Sequence, residues 1–280
     1  MSKIWANTIV QNEERYLWFA VMSVINFVDK VLIWDTGSSD NTSKVVEELI
    51  KVNKSKIDFR EIGPVDPVAY TSVRQRMLEE TKNDWFLIVD GDEVWWDKSI
   101  KKLVDLVNKQ GDKLDSIVTP YYNIVGDIYH YQEKEAGKYR IDDKKGHINI
   151  RAVNRKIPGI HFEKPHGQLG LYDLNHLLIQ DRPQAERVFL DAPYMHFTNM
   201  IRSSSRKLDE KVPKRSFKLK YEIGKEFPND FLFPEVFYRE YPSFIKSPFQ
   251  KMSKSFYLKS AILSIPRKVK RRLLKSKSGY

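Results

Sequence analysis

A chain of 280 residues has room for one large domain or two modest ones, and 41% hydrophobic against 30% charged residues is a globular balance that excludes a disordered chain. With no cysteine, disulfides, thiolate metal sites and cysteine nucleophiles are excluded. The net charge of +11 is unevenly placed: from Pro242 to Tyr280 there are eleven Lys and Arg and no acid, which equals the whole excess, so residues 1–241 are formally neutral.

The opening Met1-Ser2-Lys3-Ile4-Trp5 runs straight into a strand pattern without a signal-like apolar core. The longest nearly apolar stretch, Trp18 to Val28, is too short to span a bilayer, so a cytoplasmic protein is expected. Ile4 to Val10 reads as a first strand. Gln11-Asn12-Glu13-Glu14 reads as its exit into a helix whose first turn is acidic, as the helix dipole favours. Lys30-Val31-Leu32-Ile33-Trp34 is a second buried strand. It stops at Asp35-Thr36-Gly37-Ser38-Ser39-Asp40-Asn41-Thr42, before a helix with Val45, Val46, Leu49 and Ile50 on one face. Ile57 to Glu61 is a weaker third strand, and Thr71 to Lys82 a third helix with Arg74 near its start.

The run Trp85-Phe86-Leu87-Ile88-Val89 reads as a strand buried on both faces, and it ends abruptly in Asp90-Gly91-Asp92-Glu93. The first 93 residues therefore alternate as βαβαβαβ, which predicts a mostly parallel sheet with helices on both faces. In such a sheet ligands bind at the carboxyl ends of the strands, where both Asp35 and Asp90 fall. Asp90 and Asp92, two apart, project to one side in extended backbone. A hard divalent cation would satisfy both carboxylates and bridge them to a diphosphate, whereas an Asp-Gly turn alone is the simpler alternative. Neither a G-x-G-x-x-G fingerprint nor a P-loop follows the first strand.

Beyond the acids, Trp95 and Trp96 offer either a platform for a sugar face or core packing. Ile100 to Val107 marks a helix and Ser116 to Tyr122 a strand; Gly126 to Gly146 reads as a long polar loop suited to a lid or acceptor role. His147 to Val153 alternates as a strand. Residues 198–241 read as an aromatic-rich helical segment. In the tail, Ile245, Phe249, Met252 and Phe256 fall on one helical face, and Val269, Leu273 and Leu274 interleave with Arg267, Lys268, Lys270, Arg271, Arg272 and Lys275. This predicts an amphipathic anchor for an anionic membrane surface, and nucleic acid is not expected as a partner.

Three segments together, Asn12-Glu13-Glu14, Val31 to Thr42 and Asp84 to Glu93, resemble the nucleotide-binding half of family 2 glycosyltransferases of the GT-A fold. The resemblance implies an α/β, Rossmann-like sheet: residues 1–125 form the nucleotide-sugar-binding half, 126–241 the acceptor or closing half of the same domain, and 242–280 a basic tail. It implies a nucleotide-sugar donor, UDP-linked, held by Asn12, Glu13, Asp35, Arg74 and Asp90, with Asp35 on the base and Asp90-Gly91-Asp92 as the family's D-x-D motif for Mn²⁺ or Mg²⁺. His196, within Ala192-Pro193-Tyr194-Met195-His196-Phe197, would be the third metal ligand or a diphosphate contact, and an imidazole ligand tilts the choice toward Mn²⁺.

Relatives carry an acid directly after a histidine where this chain has His166-Gly167. The base that deprotonates the acceptor hydroxyl is therefore sought at Glu163, with Asp191 behind it and His166 beside it. The implied activity is metal-dependent, inverting transfer of a sugar to a glycan, lipid-linked or protein hydroxyl. The alternatives are a nucleotidyltransferase, which would be expected to carry a basic glycine-rich loop after the first strand, or a catalytically silent protein that binds nucleotide-sugar or nucleic acid.

Overall fold

The predicted alternation is realised as β1 (Ile4–Val10), α1 (Leu17–Val24), β2 (Lys30–Asp35), α2 (Thr42–Asn53), β3 (Ile57–Glu61), α3 (Pro67–Glu80) and β4 (Trp85–Ile88). The computed structural model describes residues 4–273. Residues 1–3, and Leu274, Lys275 and Lys277 of the tail, lie outside the described residues.

Strands β3, β2, β1 and β4 lie side by side in parallel, and the registers Val10↔Asp35 and Asn7↔Ile88 bring the three strand ends to one edge. Alternation along β2 explains the two faces. Val31 and Ile33 join a core with residues of α1, α2 and α4 (Asp97–Gln110), whereas Leu32 and Trp34 pack with Val73 and Met77 of α3. Two helix starts differ from expectation. The acids Glu13 and Glu14 precede α1 rather than occupying its first turn. Helix α3 begins at Pro67, four residues early, because Asp66 caps it by accepting from the N–H groups of Val68 and Ala69; such a cap contributes about 1 kcal/mol. Arg74 consequently sits mid-helix.

After β4 come β5 (Glu93–Trp95), β6 (Ser116–Val125), β7 (Asp127–Tyr131), the hairpin of β8 (Tyr139–Ile141) and β9 (Lys144–Gly146), and β10 (Ile148–Asn154). The long polar loop expected from Gly126 to Gly146 is thus largely strand, since β7 pairs with β6 and β8 with β9. Strand β10 enters antiparallel between β4 and β6, so one mixed sheet runs through both halves of the domain. The remaining elements are β11 (His161–Glu163), β12 (Gly170–Tyr172), β13 (Arg187–Phe189), β14 (Tyr194–His196), α5 (Arg206–Lys211), β15 (Lys225–Glu226) and α6 (Lys254–Leu273).

Residues 198–241 are not mainly helical. The rings of Phe227, Phe231 and Phe233 pack with Trp96, Tyr122, Tyr129 and Tyr131 instead, and Phe237 meets Phe19 of α1. The predicted tail stripe is corrected as well. Ile245 and Phe249 join the domain core ahead of α6, and Met252 and Phe256 close on Gly126, whose positive φ of 84° suits a residue without a Cβ. Helix α6 turns Ser260 and Ser264 inward, where the Ser264 hydroxyl accepts from the Ile223 N–H at 2.8 Å. Its outer face carries Leu258, Ile262, Ile265 and Val269, spaced i, i+4, i+7, i+11 and between 50% and 73% exposed. Among the described residues no helix is long and apolar enough to cross a membrane.

Candidate active site

The loops after β1 and β2 are stitched together by their own polar residues. Asn12, at a φ of 56°, accepts from the Ser39 N–H at 2.7 Å and donates its own N–H to the Ser38 hydroxyl, while the Glu13 N–H donates to Thr42 Oγ1 at 2.8 Å. Asp35 is 4% exposed and accepts from the Ser38 N–H at 2.9 Å. Burial raises its pKa against the pull of Ser38. These three residues shape the loop floor, and beside Asp35 it is Thr36 that lines the open space.

That space is a cleft of about 1070 Å³ over the carboxyl edge of the sheet. Such a volume matches a sizeable ligand. Asp90, Asp92, Arg74, His196 and Glu13 all line it. Strand β14 brings His196 there: it pairs antiparallel with β5, setting His196 opposite Glu93, and His196 Nε2 lies 3.5 Å from Asp92 Oδ2. Residues 104 positions apart in the chain thus share one corner because a short strand after the acids finds a partner.

Four arginines not anticipated as a group surround the acids. Arg74 donates to Asp90 Oδ1 at 2.9 Å; Arg151, from β10, reaches Asp90 Oδ2 at 3.5 Å and pairs with Glu93. Arg202 donates to Asp92 Oδ2 at 2.6 Å and to Glu13 at 3.0 Å, and Arg215 holds Glu13 and Asp209. A cation within the alternating strand Ile148 to Val153 was a visible signal for Arg151. Nothing local marked Arg202 or Arg215.

Burial raises the carboxyl of Asp90, but Arg151 and Arg74 outweigh it and hold the group down at about 2. Burial acts on Asp92 in the same way, and Arg202 and His196 pull it well below the carboxylate range. Both are therefore anions at neutral pH. Glu13 is pushed up to about 7 by burial, against Arg202 and Arg215. Glu93, fully buried on β5, is committed to Arg151 and belongs to the scaffold. Trp95 beside it is fully buried and stacked on Tyr194 at 4.7 Å, which removes the sugar-platform reading for that indole. Trp96 donates through its indole N–H to the Leu232 carbonyl.

His166 also lines the cleft, on the loop between β11 and β12, with its ring 4.5 Å from that of Tyr70. Burial, then Lys218, Arg74 and Lys214, bring its pKa down to about 4. Glu163 and Asp191 do not line the cleft. Glu163 is held between His161 and His176, and the Asp191 carbonyl accepts from Lys102 of α4.

The donor chemistry at the strand end, two carboxylates and an imidazole, is one that Mn²⁺ accepts. The His196 Nδ1 and Arg74 Nη1 atoms are buried and without a hydrogen-bond partner among the described residues, on two side chains that line this cleft. Arg202 is the competitor, since it already neutralises Asp92.

A family model described as "Glycosyl transferase family 2" matches residues 8–174, which hold the strand ends at Asp35 and Asp90 and the loop that carries His166. The chain belongs to glycosyl transferase family 2. Its sheet, parallel through β3, β2, β1 and β4 with the acids at the carboxyl edge, is a GT-A domain. Among solved structures, S. aureus TarS 1–349 in complex with UDP-GlcNAc is similar at 13% identity and a TM-score of 0.49, over 78% of this chain and 66% of that one. A further structure of S. aureus TarS 1–349 has 14% identity and a TM-score of 0.46; the match covers 71% of this chain and spans about three-fifths, 61%, of TarS 1–349. Glucosyl-3-phosphoglycerate synthase from Mycobacterium tuberculosis, with Mn²⁺, UDP and glucosyl-3-phosphoglycerate, has 14% identity and a TM-score of 0.45 over 77% of this chain and 76% of that one. No curated protein matches the chain.

Proposed function

We propose that this family 2 glycosyltransferase moves a sugar from a UDP-linked donor to an acceptor hydroxyl with inversion, assisted by a divalent ion at Asp90, Asp92 and His196. The observation that carries the reading is the meeting of two ionised aspartates, a histidine and cationic side chains in one cleft at the strand ends. When bound, the ion would neutralise charge that develops on the leaving diphosphate. The chain's own cations do related work: Arg74 and Lys218 face the cleft, where phosphate oxygens would accept from them. Asn12, Glu13 and Asp35 hold the loops that frame the nucleotide, with Asp35 beside the base.

Of the three groups considered for the acceptor proton, His166 alone lines the cleft. Its pKa of about 4 leaves the imidazole neutral at pH 7 and able to accept a proton. The depression comes partly from Lys218, Arg74 and Lys214, and a bound diphosphate would screen those charges and make the ring a stronger base. Acceptor identity, whether glycan, lipid-linked or protein, belongs to the hairpin side of the cleft, where Tyr139, Arg140 and Asp181 stand.

The outer face of α6 supports attachment to an anionic membrane on its cytoplasmic face. Four exposed apolar residues share a stripe on a helix whose sequence holds only cationic charges, and each cation near such a surface contributes about 1 kcal/mol.

Calorimetric titration with UDP, with and without Mn²⁺, tests the central reading. UDP affinity that rises at least several-fold with Mn²⁺ is expected. Affinity that is indifferent to Mn²⁺ and to Asp92→Asn would overturn it.

A further inference from the structure

A second cluster of metal-ligating side chains lies outside the cleft. His161 and Glu163 stand two apart on β11 and so share a face of that strand, and His176 follows β12. His161 Nε2 and His176 Nδ1 lie 2.6 Å and 2.5 Å from the same atom, Glu163 Oε1. Among the described residues this is the one set in which three donor atoms from His, Cys, Asp or Glu gather within 4.8 Å of one another.

Hydrogen positions in this cluster follow from its neighbours. His161 Nδ1 lies 2.7 Å from the Gly159 carbonyl, which can only accept, so Nδ1 carries the hydrogen. In the neutral ring, the Nε2 lone pair then points at a carboxylate oxygen 2.6 Å away. Two acceptors that close repel unless a proton or a cation lies between them. A divalent cation held by the two ring nitrogens would satisfy the His161 lone pair and the carboxylate together.

We propose that His161, Glu163 and His176 bind a divalent transition-metal ion of the Zn²⁺ class. Two imidazoles and a carboxylate are a familiar Zn²⁺ ligand set, and a metal-bound histidine ordinarily donates its other N–H to a carbonyl, as His161 does to Gly159. Tetrahedral bonds of about 2.0–2.1 Å would set neighbouring ligand atoms about 3.3 Å apart. The rings need only back away by less than ~1 Å, and His176, 74% exposed at its side chain, is free to do so. Its exposure also leaves a fourth position open to water.

The backbone that carries the donors is already held. Asp173 accepts from the N–H groups of Asn175 and Leu177 and pairs with Arg182, which fixes the turn that presents His176. The ion would clasp the root of the β11–β12 hairpin, whose loop carries Lys164, His166 and Gln168 into the cleft wall. None of its three ligands lines the cleft, so the site stands apart from Asp90, Asp92 and His196.

The full-length chain, stripped with chelator, can be titrated calorimetrically with Zn²⁺ alone, alongside His176→Ala, His161→Ala and Asp92→Asn. A Zn²⁺ site distinct from that of Asp90, Asp92 and His196 is expected in the wild type and persists in Asp92→Asn, with affinity at least tenfold weaker in His176→Ala and His161→Ala. Zn²⁺ should raise the melting temperature of the wild type but not of His176→Ala, an exposed substitution that leaves the fold intact. Wild-type-like Zn²⁺ affinity in both histidine variants, no binding by the wild type at micromolar Zn²⁺, or loss of binding only in Asp92→Asn would each overturn the proposal.

Discussion

Arg202 donates to Oδ2 of Asp92 at 2.6 Å where that aspartate is 1% exposed, so a protein cation already occupies the carboxylate that a metal would use. Removing one partner of such a buried pair strands the other and costs about 3–5 kcal/mol. Arg202→Ala is therefore expected to lower the melting temperature in chelator and to recover much of it in Mn²⁺, with Mn²⁺ bound about tenfold more tightly than by the wild type. Thermal unfolding with and without the ion measures both. Equal Mn²⁺ responses in variant and wild type would show that arginine and ion do not compete.

The same burial governs how Asp92 should be tested. Asp92→Ala would leave Arg202 with Glu13 alone, so lost stability would be confused with lost chemistry. Asp92→Asn keeps a hydrogen-bond acceptor. It is expected to reduce kcat/KM for transfer by about 10²–10³-fold, the scale of losing one electrostatic element of a transition-state site, while the melting temperature falls far less than in the alanine variant. Full Mn²⁺-dependent turnover by Asp92→Asn would remove that residue from the metal set.

Acid should act on stability in two successive windows. His166, down at about 4 in the fold against an ordinary value near 6.5, binds its proton less readily when folded. Its contribution is therefore lost as pH falls from about 6.5 toward about 4. Asp90, held at about 2, contributes stability that is complete above pH ~4 and lost as pH falls toward 2, an effect of at most about 2 kcal/mol. Glu13, pushed up to about 7, takes up its proton first in the folded state and gains stability as pH falls from about 7 toward about 4.5. This offsets His166 in the upper window, so the urea midpoint should fall chiefly between pH 5 and 3. His166→Asn should remove the loss it causes in the upper window, so the variant's midpoint should be higher at pH 5 relative to pH 7 than the wild type's while the lower step is unchanged. The same pH 7 to 5 change in both proteins would assign that loss to another group.

His166→Ala should lower kcat by about 10²–10⁴-fold with little change in UDP affinity, as expected for a proton acceptor that does not hold the nucleotide. Rate against pH, with calorimetry of UDP, separates the two effects. A variant that loses UDP affinity but keeps kcat would make His166 a donor-binding residue.

For the membrane, truncation from residue 243 is the wrong experiment, because Ile245 and Phe249 belong to the core. Ile262→Glu combined with Ile265→Glu alters the outer face of α6 alone. The double variant is expected to lose sedimentation with anionic vesicles while retaining UDP affinity. Undiminished sedimentation would place the contact elsewhere.

The strands that end at Asp35 and Asp90 could be read directly from the chain, because hydrophobic periodicity and an abrupt change to acids act over a few residues. The segment Tyr194 to His196 was legible only as a motif; its place beside Asp92 depends on pairing with β5, itself three residues long. The apolar stripe in the tail shows the limit of periodicity. Ile245, Phe249, Met252 and Phe256 have the spacing of a helical face, yet the domain surface they meet turns them into core and exposes Leu258, Ile262, Ile265 and Val269 instead.

Local sequence thus specified the strands and helices of the parallel half-sheet, its acidic edge and the cationic tail, because hydrophobic period and charge are legible over a few residues. Chain folding alone settled what surrounds the acids. Arg202 reaches Asp92 across 110 residues and Arg215 reaches Glu13 across 202, and a lone arginine carries no periodic mark of the carboxylate it will meet. Burial then decides the outcome, because in a dry corner of the cleft a charge is retained only where an opposite charge, or a bound ion, stands beside it.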